Sequence, residues 1–240
     1  MAIGIGLGNR LRRGGGVSVP ANPVPELLWL KMNDGAGTAV TADVGPDATW
    51  STSSYWGPGV AGGGGDFGGG SHDITTNSAI NYGTDKITFC FWFKQDALAN
   101  QYIAASPEAY TTTDKAWDVA CFSNGKMRAR VGSYIGGVQK SSQYLFDNPS
   151  APMLTDTWQH VVITLDYNHT DGGGECRCFV DGVEYTDPDA NRFKDPASAG
   201  DFGTYALTIG SIRNAEADDF RIYNRLITTD EMAAIRANPA

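Results

Sequence analysis

The stretch KITFCFWFK at residues 86–94 constrains the fold more than any other part of the chain. Phe89, Phe91 and Phe93 alternate with Cys90 and Trp92, so both faces of an extended strand here are largely apolar. A strand of this kind lies in the middle of a sheet that is covered on both sides. We therefore expect a layered structure with this strand near its centre.

Further alternating segments follow along the chain and indicate an all-β protein. These are GKMRARVGSY (125–134), WQHVVITLDY (158–167), CRCFVDGVEY (176–185), YALTIGSI (205–212) and DDFRIYN (218–224). The third is predicted to be a hairpin, because Asp181-Gly182 suits the positive φ angles of a type I′ turn. Since no helical periodicity separates the strands, we predict a two-sheet antiparallel β-sandwich. Thr228 and Glu231 have the spacing of a capping box and predict one short C-terminal helix.

Composition and charge limit the number of domains and the classes of partner. A chain of 240 residues with 41% hydrophobic content and 30 glycines is expected to form one domain with many turns. The net charge of −9 includes three arginines within residues 1–16, so the remainder carries −12. We therefore expect no nucleic-acid partner, and we expect no membrane insertion because no apolar run approaches the roughly 18 residues of a span.

The opening segment MAIGIGLGNRLRRGGG differs from the rest of the chain. Two interpretations stay open, a disordered tail or a strand that adds to the edge of a partner's sheet while its arginines pair with acidic groups. Its positive charges follow its apolar residues, the reverse of a secretory signal, so no signal peptide is expected. Pro20, Pro23 and Pro25 then predict an extended linker. We predict an arm and linker over residues 1–25 and one domain over residues 26–240. The partner-docking candidates are Ile3, Ile5, Leu7, Arg10, Arg12 and Arg13.

The sequence also bears on whether a glycine-rich segment is ordered and whether the cysteines are reduced. GPGVAGGGGDFGGGS at residues 57–71 is expected to be an ordered edge segment, because Val60 and Phe67 bracket its glycines. Cys176 and Cys178 lie two residues apart, a spacing that suits neither a disulfide along one strand nor a common zinc site. We expect reduced core cysteines, and a pairing with Cys90 or Cys121 stays open.

Four stretches resemble the laminin G-like jelly roll of the concanavalin A-like lectin and glucanase superfamily. They are LLWLKMNDGAGTAVTADVG, the glycine-rich turn leading into KITFCFWFK, DTWQHVVITLDY with CRCFVDGVEY, and ALTIGSIRNAEADDFRIYNRLITTDEMAAI. The resemblance covers residues 26–236 in family order. It implies a jelly roll of two antiparallel sheets with six or seven strands, one concave and one convex. Trp92 and Trp158 are large enough to fill the space of roughly 10 Å between two such sheets, and we expect them there. The opening arm, separately, resembles the starts of tailed-phage virion proteins.

The resemblance also directs attention to catalysis and to calcium. Laminarinase-type hydrolases of this superfamily carry E-x-D-x-x-E on one strand, and this chain has no such string. Glu216 and Asp218 of AEADDF match the first two acidic positions, but the third position of the pattern carries no acid. No catalytic residue is therefore predicted. The family implies a structural Ca²⁺ that ties the loop after the first strand to the closing strand, which would place it at Asp34 and Asp218. The alternative is that both are ordinary turn and edge residues.

Aromatic residues near loops are the candidates for glycan binding, because sugar C–H faces stack on aromatic rings. The candidates are Trp56, Trp117 and Tyr134. The leading hypothesis is a non-catalytic, lectin-like protein displayed on a larger assembly, namely a phage virion decoration or adhesion component. Its expected partners are other virion proteins, reached through the arm, and cell-surface glycans. It is expected to be a homo-oligomer or part of a multisubunit assembly, located in the virion or outside the cell. Two alternatives stay open: a secreted carbohydrate-active enzyme or its binding module, and a purely structural protein without a ligand.

Overall fold

The computed structural model describes residues 22–52, 55–68, 72–83, 85–105, 116–135, 138–166, 175–187, 202–212 and 214–240. For strand residues 116, 131–135, 138–142, 175 and 211–212 the backbone alone is described. The predicted arm and its docking residues lie outside these ranges.

Nineteen strands and one helix are found in the described residues. In chain order they are β1 Leu28–Leu30, β2 Ala39–Val40, β3 Ala42–Val44, β4 Ala48–Trp50, β5 Trp56–Pro58, β6 Gly63–Asp66, β7 His72–Thr76, β8 Ile80–Asn81, β9 Lys86–Gln95, β10 Gln101–Ala105, β11 Ala116–Cys121, β12 Met127–Ile135, β13 Val138–Phe146, β14 Gln159–Asp166, β15 Glu175–Val180, β16 Val183–Tyr185, β17 Thr204–Tyr205, β18 Thr208–Ile212, β19 Ala215–Tyr223 and α1 Thr229–Ala237.

The strands form two large antiparallel sheets, as the alternating segments predict. The nine-stranded sheet has the order β16-β15-β14-β9-β19-β1-β3, with β6 pairing to β19 and β5 pairing to β6. The eight-stranded sheet has the order β13-β12-β11-β10-β18-β7-β4-β2, and β17 pairs with β8 separately. The sandwich and its short C-terminal helix are confirmed, with more strands in each sheet than the six or seven expected.

The core lies between the two sheets and is built by the inward residues of alternating strands. Phe89, Phe91 and Phe93 of β9 are fully buried there, and β9 lies between β14 and β19 as its sequence predicts. Trp50 and Trp117 also belong to this core. The expectation that Trp92 and Trp158 fill the space between the sheets is wrong. Neither belongs to a core cluster, and Trp92 falls among the outward residues of β9, where its ring lies 5.2 Å from that of His160.

Helix α1 covers part of the outer face of the nine-stranded sheet. Met232 and Ile235 of the helix pack on Cys90, Val162 and Phe179 in a second apolar cluster. Thr228 is the N-cap, and the capping box with Glu231 predicted from the sequence is present. Arg225 donates two hydrogen bonds to Glu231, which holds the pKa of that carboxyl at about 2.

The first described residues and the last ones meet on this same outer face. Asn22 donates to the Asn238 carbonyl at 2.9 Å and accepts from Arg221 at 2.6 Å, and the Tyr223 hydroxyl donates to the Pro23 carbonyl at 3.0 Å. We call this set of contacts the terminal seam. It joins the linker, the closing strand and the segment after the helix.

Three smaller predictions are confirmed. Asp181 and Gly182 both have positive φ, at 53° and 81°, in the hairpin between β15 and β16. All four cysteines are buried and free. The glycine-rich segment forms β5 and β6 inside the domain, as far as residue 68, and residues 69–71 lie outside the described ranges.

Among the described residues, no helix has the length and apolar character needed to cross a membrane.

Candidate functional site

The outer face of the eight-stranded sheet presents polar and charged side chains, and the one helix within the described ranges lies on the other sheet. Tyr102, Ala120, Arg128 and Leu145 form a row across strands β10 to β13, because they are register partners in turn. Ala120 and Arg128 alternate with core residues on their strands, so this row points away from the core.

The next row of the same face contains a shared carboxylate. Asp118 is the register partner of Arg130, and its carboxylate is almost fully buried. The Nε and Nη2 atoms of Arg128 donate to Asp118 Oδ1 at 3.0 and 2.8 Å, and Arg130 Nε donates to Oδ2 at 2.7 Å. Charge-assisted bonds of this kind are shorter and stronger than neutral ones. They fix both guanidinium groups in position.

Arg128 also lies over two aromatic rings. Its guanidinium carbon lies 5.4 Å from the centre of the Tyr102 ring and 5.3 Å from that of Phe122. Ala120 lies between Tyr102 and Arg128 in register, and its methyl group leaves room for the guanidinium to approach the ring. The stacking and the Asp118 bonds together leave Arg128 little rotamer freedom, so the group is preorganised.

These residues border a shallow depression of about 100 Å³, which we call the Tyr102 depression. It is lined by Asn100, Gln101, Tyr102, Ala120, Cys121, Phe122 and Arg128. Tyr102 is 42% exposed and is the one aromatic among the large, exposed apolar residues of the described ranges. Burial raises the pKa of the Cys121 thiol to about 12, so this thiol is neutral. The depression thus offers an aromatic ring, a fixed cation and a carboxamide, a combination suited to a polar ligand with apolar faces.

A second group of polar residues surrounds the loop Gly59–Gly63 at the edge of the nine-stranded sheet. Asp218 accepts from the Val60 and Asp219 amides at 2.8 and 2.7 Å, and Asn33 accepts from the Gly63 amide at 2.9 Å. Burial raises the pKa of Asp218 to about 7, against the lowering effect of these amide hydrogen bonds. The closing strand and the segment after β1 therefore hold one loop from two sides.

Two other sequence candidates lie at this edge. Asp34 accepts from the amide and hydroxyl of Thr41, at 2.9 and 2.6 Å. Trp56 donates to the Gly37 carbonyl at 2.9 Å, and its half-buried ring packs edge-on against Trp50. A pocket of about 190 Å³, lined in part by Asn33 and Asp34, opens here. The described residues contain no group of three or more His, Cys, Asp or Glu that could hold a metal ion. Calcium at Asp34 and Asp218 stays a prediction.

The other two glycan candidates have different outcomes. The expectation that Trp117 lies beside a loop and is free of the core is wrong, because its side chain is 1% exposed and its ring packs on Phe89 and Tyr82. Alternation in the AWDVAC strand points Trp117 inward and Asp118 outward, and this signal was available in the sequence. Tyr134 lies in β12 opposite Gln139, and its side chain is not described.

The sequence alone does not identify Tyr102 or Arg128 as site residues. Alternation in GKMRARVGSY places Arg128 and Arg130 on the polar side of a strand, but it does not show which strands lie beside it. The pairing of β11 with both β10 and β12 brings Tyr102, Asp118 and Arg128 together.

Sequence comparison decides the family. A family model, Laminin_G_3, described as the concanavalin A-like lectin/glucanases superfamily, matches residues 67–233. The chain belongs to the concanavalin A-like lectin/glucanases superfamily. A search of curated proteins by sequence finds no match.

Solved structures show the lectin-like fold of this superfamily member in larger proteins. The binding domain of botulinum neurotoxin DC in complex with SialylT is 12% identical, with a TM-score of 0.56 over 90% of this chain and 51% of that one. Trypanosoma rangeli sialidase in complex with sialic acid is 16% identical, with a TM-score of 0.56 over 90% of this chain and 33% of that one. The binding domain of botulinum neurotoxin serotype D/C is 14% identical, with a TM-score of 0.56 over 87% and 50%. This superfamily member thus spans about half of the toxin domains and a third of the sialidase.

Proposed function

We propose that this protein is a non-catalytic, lectin-like module that binds glycans in the Tyr102 depression. The observation that carries the proposal is the exposed Tyr102 ring beside the guanidinium of Arg128, on the outer face of the eight-stranded sheet. A pyranose ring has one apolar face that stacks on an aromatic ring and hydroxyls that accept from fixed donors. Tyr102 supplies the ring, and Arg128 and Asn100 supply the donors.

The solved neighbours support glycans as the ligand class. The toxin binding domain is in complex with SialylT, and the sialidase is in complex with sialic acid. Their low identity establishes only a common fold, so the choice of glycan rests on the residues of this chain.

A glycan array probed with the full chain tests the proposal. We expect Tyr102→Ala to lose most of the binding, because stacking on a ring contributes a large part of the contact with a sugar. Leu154→Ala is the matched control, because it shortens another exposed apolar side chain, 57% exposed, that lies outside the depression. Equal binding by the Tyr102→Ala and Leu154→Ala variants would overturn the choice of site, and an array without any binding would overturn the function.

The absence of catalysis is tested separately by incubating the full chain with polysaccharides and sialosides. We expect no release of reducing sugar or free sialic acid. Release that depends on the chain would replace this proposal with the enzyme alternative.

The finer part of the proposal concerns display on a larger assembly. We propose that the arm, which with its linker spans residues 1–25, attaches the module to an assembly outside the cell, such as a phage virion, with other assembly proteins as partners. The strand-like alternation of the arm and its three arginines support this, because the remainder of the chain is acidic. Deletion of residues 1–21 should abolish incorporation while leaving glycan binding intact. Unchanged incorporation would contradict the anchoring role.

A further inference from the structure

The Tyr102 depression has a charge character that the proposed function leaves open. We infer that it selects glycans that carry a carboxylate, and that Arg128 is the residue that recognises this negative charge. This inference rests on the proposed function and narrows its ligand class.

The hydrogen bonds of Arg128 are the first support. Its Nε and Nη2 atoms both donate to Asp118 Oδ1, and within the described residues nothing accepts from Nη1. Arg128 contributes to the lining of the depression, and the N–H groups of Nη1, with the second N–H of Nη2, are the donors left for a ligand. A carboxylate oxygen is a stronger acceptor for such a group than any sugar hydroxyl.

The charge balance around Arg128 is the second support. Asp118 is shared by two guanidinium groups, with Arg130 Nη2 at 2.7 Å from the carboxylate oxygen that Arg128 does not use. Arg128 therefore shares its carboxylate partner with a second guanidinium group. The residues that line the depression include an arginine and no acid, although the chain as a whole has 27 acidic and 18 basic residues.

The pocket at the edge of the nine-stranded sheet provides a contrast. Its lining residues include Lys31, and they also include Asp34 and Asp43, of which Asp43 forms an ion pair with Lys31. An anionic ligand would meet like charges there. Of these two pockets, the Tyr102 depression is the one suited to an anion.

The rigidity of Arg128 is the third support. Its side chain is 12% exposed and lies over two rings, so its charge is less screened by water and salt than that of a free surface arginine. Because stacking and the Asp118 bonds already fix the guanidinium, binding costs little further side-chain entropy.

The test compares oligosaccharides in matched pairs that differ only in the carboxylate, for example oligogalacturonate with its methyl ester and 3′-sialyllactose with lactose, on an array and then by titration with the full chain. Among the pairs that bind, we expect the acidic member to bind about 10-fold more tightly or better, with an affinity that falls as salt is raised. Arg128→Gln should remove that preference. Arg128→Lys should restore it only in part, because lysine keeps the charge but not the planar geometry.

Arg177→Gln is the matched control. Arg177 also forms an ion pair, with Glu184, and lies over a ring, that of Phe179, but it lies on the nine-stranded sheet. This variant should keep the preference for acidic members. Thermal melting of each variant shows whether it is folded.

Three outcomes are informative. If neutral and acidic members bind equally, glycan binding stands and the inference about charge is overturned. If the preference for acidic members survives Arg128→Gln in a folded variant, Arg128 is not the residue that recognises the carboxylate. If no glycan binds, the proposed function and this inference fail together.

Discussion

Asp219 and Arg221 form an ion pair in which neither side chain is exposed to solvent. Arg221 Nε donates to Asp219 Oδ1 at 2.8 Å and Nη2 donates to Oδ2 at 2.7 Å. A β-bulge in β19, where Asp219 has a φ of 48°, accompanies this arrangement. Trp29 Nε1 donates to the same carboxylate at 2.8 Å, and its ring lies 4.4 Å from the guanidinium carbon.

Breaking this pair should destabilise the fold strongly. Removing one partner leaves an uncompensated buried charge, so we expect Arg221→Met and Asp219→Ala each to lower the free energy of unfolding by about 3–5 kcal/mol. The double variant should lose less than the sum of the two, because it leaves neither charge alone. Urea denaturation measures both effects. Arg177→Met, which breaks an exposed pair, should cost about 0–1 kcal/mol, and an equal loss in both arginine variants would contradict the argument.

The dependence of stability on pH should change when Asp218 is neutralised. Burial raises the pKa of Asp218 from 3.8 to about 7 in the folded protein. Between these values the folded state holds a proton that the unfolded chain has released, so the free energy of unfolding falls as pH rises from about 4 to about 7. Asp218→Asn removes this contribution.

His160 contributes the opposite slope over an overlapping range. Burial, together with the charges of Arg236 and Arg221, lowers its pKa from 6.5 to about 3, so stability falls as pH falls from about 6.5 to about 3. In the wild type the two slopes oppose each other, and in Asp218→Asn only that of His160 remains. We therefore expect this variant to lose stability on acidification more steeply than the wild type, as measured by urea midpoints from pH 4.5 to 8. Parallel curves for the two proteins would show that Asp218 does not titrate in this range.

Gly59 is the glycine whose replacement should cost most in the loop that Asp218 holds. A Cβ at this position would lie 1.9 Å from the Gly63 carbonyl oxygen and 2.4 Å from Asp218 Oδ2. Because Gly63 and Asp218 are both held by hydrogen bonds, neither can move away easily, and Gly59→Ala should lower the free energy of unfolding by about 1–3 kcal/mol or more. Gly37→Ala is the control: it meets no atom within 4 Å and bears only the cost of a positive φ, about 1 kcal/mol. A smaller effect at Gly59 than at Gly37 would contradict the proposed packing.

Two N-terminal deletions separate the arm from the terminal seam. Removing residues 1–21 should leave the melting temperature unchanged, because every seam contact is kept. Removing residues 1–26 deletes Asn22, Pro23 and Glu26, which accept hydrogen bonds from Arg221, Tyr223 and Arg225, and it should lower the melting temperature by several degrees. Calorimetry of both proteins is the measurement. Equal melting temperatures would show that the seam contributes nothing to stability.

The calcium prediction is tested by melting the full chain with Ca²⁺ and with chelator. An ion held at Asp34 and Asp218 should raise the melting temperature, since it binds the folded state alone. Mg²⁺ is the control, because it demands a stricter octahedral site. Asp34→Asn should abolish the effect. The same melting curve with and without chelator would show that the calcium prediction is wrong.

The parts of the fold that could be predicted are those set by local pattern. Alternation placed Phe89, Phe91 and Phe93 in the core, and local spacing gave the Asp181-Gly182 turn and the Thr228 cap. These features depend on residues that are close in the sequence.

The candidate site could not be predicted in the same way, because it depends on strand order. Asp118 and Arg128 meet because β11 pairs with β12, and Tyr102 joins them only through the separate pairing of β10 with β11. Trp117 was misplaced for a different reason. Local alternation in AWDVAC puts Trp117 on the inward side of β11 and Asp118 on the outward side, so its burial could have been predicted from the sequence.

The terminal seam determines which face of the domain is turned away from its two ends. Asn22 and Asn238 are joined by a hydrogen bond on the outer face of one sheet, and Tyr102 lies on the outer face of the other. A carrier, bead or sensor chip coupled through either end of the domain therefore lies on the side opposite to Tyr102. The aromatic side is left turned toward the surrounding medium without any engineered spacer.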